Sequence, residues 1–185
     1  MILPVVDVSG SMETSAGGSK TVTCMDVAIS LGLYISERNE GPFKDAFITF
    51  SSTPQLQVLS GSLKDRYAQM ASSDWGMSTD LEATFKLILD QATKHKLSQD
   101  EMPNKILILS DMEFNQATGS RGWRNEASWN PTAQQVINDM YESSGYKMPQ
   151  IVYWNIQSRN GGVPVAFDTE GTALVSGFSP AIMTS

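Results

Sequence analysis

The chain has little of what most metal and redox sites are made from. Its 185 residues include one cysteine, Cys24, and one histidine, His95. A single thiol excludes an intrachain disulfide and a cysteine-based metal cluster, and it suits a reducing compartment. Met25, Val27 and Ala28 beside Cys24 predict a small buried side chain rather than a reactive thiol. His95 stands between Lys94 and Lys96 at the end of a helical pattern, where it reads as a solvated residue favoured by the helix dipole. Positive charge is scarce as well: 13 Lys and Arg against 20 Asp and Glu leave a formal net charge of -7 and a pI near 4.6. That balance opposes a broad, non-specific hold on nucleic-acid phosphates. No run approaches the roughly 18 apolar residues of a membrane span. Met1 to Val6 also lacks a basic residue and meets Asp7 at once, unlike a signal peptide. The expected location is cytoplasmic, away from any membrane.

What is present suits a folded chain. The length fits one domain, residues 1–185, large enough to bury its own core. A strand of the buried kind two residues into the chain must be hydrogen-bonded along its whole length, so we expect a piece of a longer protein. Short apolar runs alternate with amphipathic ones. Ile2–Val6, Phe43–Phe50 and Ile106–Leu109 read as strands buried on both faces. Gln55–Leu59 reads as an edge strand with one wet face, and Ile151–Trp154 and Thr172–Val175 complete the set.

Helical patterns fill the intervals. Thr23 can cap the first, with Asp26 near the positive end of its dipole. Met25, Ala28, Ile29, Gly32 and Ile35 form its apolar stripe, and Gly32 admits close approach to a sheet. Ser62–Ala71 is a short helix, and Asp80–Ala92 a longer one with Leu81, Phe85, Ile88, Leu89 and Ala92 inward. Asn130-Pro131 opens another, with Val136, Ile137, Met140 and Tyr141 toward the core and Gly145 at its end. Asn160-Gly161-Gly162 marks a turn, and Ser179-Pro180 starts a final helix. Such alternation implies the α/β class, an open and mostly parallel sheet with helices on both faces. Sites in these sheets lie beyond the carboxyl ends of the strands, where Asp7 and Asp111 both stand.

Asp7, Ser9 and Ser11 fall on alternate positions as the first strand finishes, so their side chains can converge. All three offer oxygen alone, which suits a hard cation: Mg²⁺ first, with Mn²⁺ or Ca²⁺ accepting the same chemistry. Thr79, just before a helix, and Asp111 are predicted to reach the same edge. A plainer account makes Asp7 a strand-end turn residue and Thr79 a helix cap. It must then explain separately why two central strands both end in aspartate.

DVSGSM, the threonine of GMSTD and LSDMEF together resemble the metal-ion-dependent adhesion site of von Willebrand factor A (vWA) domains, and the likeness spans the whole chain. More narrowly, DMEFNQA, PQIVYWN and ALVSGFS resemble the C-terminal vWA-like domain of an uncharacterised family of bacteria, plants and large viruses, which is distantly similar to the TROVE/Ro group of RNA-binding proteins. The resemblance implies a Rossmann-like vWA fold with strand order 3-2-1-4-5-6 and one antiparallel edge strand. It also implies a position at the C-terminal end of a longer protein, behind a helical region. Ser9 and Ser11 would be direct hydroxyl ligands, Thr79 a direct or water-mediated one, and Asp7 and Asp111 would act mostly through bound waters. Glu113 and Phe114 stand where many relatives place glycine, which would narrow access to the ion.

A cation held mainly by neutral hydroxyls stays under-neutralised and attracts an anion. The expected activity is therefore metal-dependent capture of an Asp or Glu from a partner protein, without catalysis. One rival is a Mg²⁺-dependent phosphohydrolase. Haloacid-dehalogenase-like enzymes carry Asp-x-Asp at this strand end, and position 9 here is serine, so the usual acid is missing. Another is RNA or nucleotide binding, with Arg121, Trp123, Arg124 and Trp129 as basic and stacking groups. The acidic balance opposes it for this stretch and leaves RNA to the full-length protein. Asn155, Gln157 and Asp80 can reach a ligand or a metal-bound water, but residues of this kind more often satisfy loop backbone.

Overall fold

The apolar runs assemble, in the computed structural model of the chain, side by side in one sheet. The structure describes residues 1–9, 12, 23–76, 80–111, 131–156, 165–166 and 172–176. In chain order these give β1 (Ile2–Val6), α1 (Cys24–Glu37), β2 (Ala46–Thr49), β3 (Leu56–Val58), α2 (Leu63–Ala71), α3 (Leu81–Lys94), β4 (Lys105–Ser110), α4 (Pro131–Ser143), β5 (Gln150–Asn155), β6 (Val165–Ala166) and β7 (Thr172–Ser176).

Strand order among the described residues is β3-β2-β1-β4-β5-β7-β6. The five central strands run parallel, and β3 and β6 are antiparallel at the two edges. The expected run 3-2-1-4-5 is present, and the strand expected sixth is β7, beside β5. Outside it the two-residue β6 adds a second antiparallel edge. So short a pairing has no periodicity for a sequence to display.

Period-two alternation divides the core between the two faces. Leu3, Val5, Ile48, Ile106, Ile108, Ile151 and Tyr153 pack with Phe85 and Ile88 of α3 and Ile137 and Tyr141 of α4. Val6, Phe47, Leu107, Leu109 and Trp154 pack with Ala28 and Ile29 of α1 and Met70 of α2. Cys24 is fully buried in this second layer together with Met12. Gly32 fulfils its expected part: a Cβ there would lie 3.0 Å from Val6 Cγ2 and 3.1 Å from Met70 Sδ.

Local signals set the helix starts. The Thr23 hydroxyl accepts from Asp26 N at 3.1 Å while Asp26 Oδ2 accepts from Thr23 N at 3.2 Å. Ser62 and Asp65 repeat the same reciprocal cap on α2. Asp80 caps α3 through Ala83 N at 3.0 Å, and exposed His95 closes it. Each cap satisfies donors that the first turn leaves open.

One expectation about an apolar face needs correcting. Val136 is 47% exposed, because Ile137, Met140 and Tyr141 already fill the stripe that α4 turns to the core. Val58 is 62% exposed on edge strand β3, whereas Leu59 after it is buried on the α1 side. The loop from Glu113 to Asn130, the turn at 160–162 and the helix expected at 179–180 lie outside the described residues. No described helix is long and apolar enough to cross a membrane.

Candidate metal centre

β1 and β4 pair with Val6 opposite Leu109, so the next residue of each, Asp7 and Ser110, fall side by side. Asp7 N donates to Leu109 O at 3.0 Å and carries the ladder one step past β1. On its other side Ser110 lies opposite Asn155 of β5, and Ile156 N donates to Ser110 O at 2.9 Å. A polar row of Asp7, Ser110 and Asn155 thus crosses the carboxyl edge, continuing the face of Leu3 and Val5, Ile106 and Ile108, and Ile151 and Tyr153. All three are buried.

Asp7 is the centre of this edge. One carboxylate oxygen accepts from Ser9 N at 2.9 Å and the other from the Ser110 hydroxyl at 2.9 Å. Ser9 is itself buried, and its carbonyl accepts from Met12 N at 2.9 Å. Burial pushes the Asp7 carboxyl above its ordinary value. The hydrogen bonds from Ser9 and Ser110 oppose that rise, and the charge of nearby Asp111 adds to it. Half-buried Asp111 directly follows β4.

Of the five residues singled out by sequence, Asp7, Ser9 and Asp111 come together at this edge, with Asp7 as their common neighbour. Ser11 and Thr79 lie outside the described residues. The flanks of 77–79 are placed, however: Gly76 N donates to Phe50 O at 2.8 Å and Asp80 N to Ser51 O at 3.2 Å. Both anchors sit just past the carboxyl end of β2, the neighbour of β1. The Asp80 carboxylate serves as a helix cap. Trp75, beside Gly76, is 51% exposed. Glu113, Phe114, Arg121, Trp123, Arg124, Trp129 and Gln157 fall outside the described residues.

Sequence reasoning passed over Ser110. Its signal was its place two residues beyond Ile108, on the same face, immediately before an aspartate already under suspicion.

The chemistry of these donors fits a hard divalent cation. Among the described residues no ion pair joins a Lys, Arg or His to Asp7, whereas Arg66 pairs with Glu37 and Asp45, and Lys86 with Glu82. A buried carboxylate near a second one, supported by neutral donors alone, is electrostatically incomplete. Groups of three or more His, Cys, Asp or Glu able to hold a metal are absent among the described residues. Oxygen donors that include serine hydroxyls are of the kind a hard cation accepts, whereas a thiolate or imidazole zinc site does not fit the described residues.

The chain is similar to several known proteins. A family model described as "Domain of unknown function (DUF7788)" matches residues 2–185. "Uncharacterized protein L728" of Acanthamoeba polyphaga mimivirus is 32% identical over 184 residues. That match takes in 98% of this chain and 29% of the viral protein, so the chain spans less than a third of its relative. The Deinococcus radiodurans Ro (RSR) protein is similar in structure, with a TM-score of 0.59 at 19% identity over 97% of this chain and 32% of that one. Manganese-loaded TRAP protein of Plasmodium vivax gives a TM-score of 0.43 at 11% identity, over 95% of this chain and 67% of that one. The likeness to the Ro protein bears on the fold alone, which is a vWA-like Rossmann arrangement.

Proposed function

The chain belongs to the family of unknown function DUF7788, and from its carboxyl edge we propose a vWA-type binding module that holds a divalent cation, Mg²⁺ in the first place, and through it captures an acidic side chain of a partner protein. The observation that carries the reading is Asp7: fully buried, raised in pKa, and among the described residues hydrogen-bonded by the neutral groups of Ser9 and Ser110. Burying such a charge without a counter-charge is costly, and a cation at the same edge removes the cost.

Ser9, Ser11 and Thr79 would supply hydroxyl oxygens, and Asp7 and Asp111 negative charge one water away. The ion supplies a positive charge that neutral hydroxyls do not cancel, so an incoming Asp or Glu is attracted to it. Asp7 and Ser110 orient the edge, and Gly76 and Asp80 anchor the segment that carries Thr79. Serine at position 9, where an Asp-x-Asp hydrolase needs its acid, favours binding over hydrolysis.

The test is thermal unfolding of wild type, Ser9→Ala and Asp7→Ala during titration with Mg²⁺ and Mn²⁺. Wild type should gain about 3 kcal/mol at a hundredfold excess of metal over Kd, and the variants much less. Equal shifts in all three would reject the metal site.

A further inference from the structure

We propose that Ser110 is a positioning residue of this site: its hydroxyl keeps one oxygen of Asp7 from binding the cation directly, and so preserves the positive charge that an anionic ligand needs. The inference rests on the metal reading above and extends it to a residue outside the expected ligand set.

Ser110 is fixed from both sides. The bond from Asp7 N to Leu109 O, 3.0 Å, holds β4 to β1, and the bond from Ile156 N to Ser110 O, 2.9 Å, holds it to β5. Its Cβ direction is therefore set by two ladders rather than by a loop. The side chain is fully buried, and its Oγ donates to Asp7 Oδ2 at 2.9 Å. Ser9 N holds Asp7 Oδ1 at the same distance. A carboxylate with a directed donor on each oxygen has its plane locked and part of its charge already shared.

Charge counting gives the consequence. A divalent ion bound directly by two carboxylates is neutral and has nothing left for a third. With Asp7 and Asp111 held back, the ion keeps its charge for the partner. Without the serine hydroxyl, Asp7 Oδ2 is free to turn to the metal and replace a bound water. A serine that merely satisfied a buried oxygen would affect stability and leave the coordination as it was.

The experiment uses Mn²⁺ as the metal and acetate as the anion, with bound water followed by proton relaxation. Ser110→Ala should still bind Mn²⁺, but with lower relaxation enhancement than wild type and about tenfold weaker acetate binding to the loaded protein. Ser110→Thr, which keeps the hydroxyl, should match wild type on both counts. Should Ser110→Ala not fold, Ser110→Cys, a weak donor of similar size, takes its place and should shift both readings in the same sense. Wild-type relaxation and acetate affinity in the variant without the hydroxyl would overturn the proposal, whatever happens to its melting temperature. Ser110→Thr behaving like Ser110→Ala would overturn it too. A wild-type protein that binds no Mn²⁺ at all is a separate result, which removes the metal reading and this inference with it.

Discussion

Asp7 and Ser110, 103 residues apart in the chain, meet at 2.9 Å between the ends of two adjacent parallel strands. Their contact depends on register. A slip of one residue between β1 and β4 would turn every side chain of the slipped strand to the other face and separate the pair. The core layers on the two faces, which sort Leu3 and Val5 from Val6, are what forbid that slip. The packing of the sheet thus sets the geometry of its polar edge.

Asp7→Asn separates the charge of this carboxylate from its shape. The fold raises the Asp7 pKa above 3.8, so the stability linked to this group is fullest below that value and falls as pH rises through the raised one. At neutral pH, without metal, the buried charge is a cost. Asparagine can keep the bond from Ser9 N, and the serine hydroxyl can reverse to accept from the amide. Metal-free Asp7→Asn should melt at or above wild type at neutral pH. The difference should close near pH 3, and the response to Mg²⁺ should be lost. A clear drop in melting temperature at neutral pH would mean that the two hydrogen bonds outweigh the burial.

Tyr67 ties α2 to the first turn of α1. Its hydroxyl donates to Asp26 Oδ1 at 2.8 Å, while the same carboxylate completes the cap with Thr23. The Tyr67 bond is the main reason that the Asp26 carboxyl is held below its ordinary value. Stability from the bond is therefore present above the ordinary carboxylate value and lost as pH falls through the lowered one. Tyr67→Phe should cost about 1 kcal/mol near neutral pH, since it removes a hydroxyl donor from a part-buried carboxylate. Urea unfolding of both proteins should show the gap shrinking in acid. A gap independent of pH would assign the loss to packing.

Tyr141 joins α4 to α3 inside the core. The ring meets Phe85 edge-on at 6.1 Å and 88°, and the hydroxyl donates to Phe85 O at 2.6 Å. Tyr141→Phe keeps the ring contact and should cost about 1 kcal/mol. Tyr141→Leu loses the edge-on pair as well and should cost at least about 1 kcal/mol more. Similar midpoints for the two variants in denaturant would show that the aromatic geometry contributes little.

Much of this was legible in the sequence, and what was not has physical causes. The continuous apolar runs of β1 and β4 identified central parallel strands, and Thr23 with Asp26 announced a helix start. Asp7, Ser9 and Asp111 were legible as neighbours on one sheet edge because they fall just where those strands stop. Ser110 was hidden because its contact with Asp7 appears only when two distant strands pair. Val136 was misplaced because periodicity tells which residues share a stripe but not how wide a stripe the neighbouring helix covers.

Gly32 shows the same logic in packing. In an exposed helix interior, replacing glycine by alanine gains up to about 1 kcal/mol of helix propensity. Here the new methyl would lie 3.0 Å from Val6 Cγ2, 3.1 Å from Met70 Sδ and 3.2 Å from Met70 Cε. Met70 is unbranched and can shift, but Val6 is a β-branched residue on a central strand with little rotamer freedom. Overpacking of about 1–3 kcal/mol should exceed the propensity gain, so Gly32→Ala should lower stability by about 1 kcal/mol and melt about 3 °C earlier. Adding Met70→Ala to this variant should then cost less than Met70→Ala does in wild type, because the two changes share one space. Full additivity in the double-mutant cycle, or a more stable Gly32→Ala, would show that α1 can move off the sheet to make room.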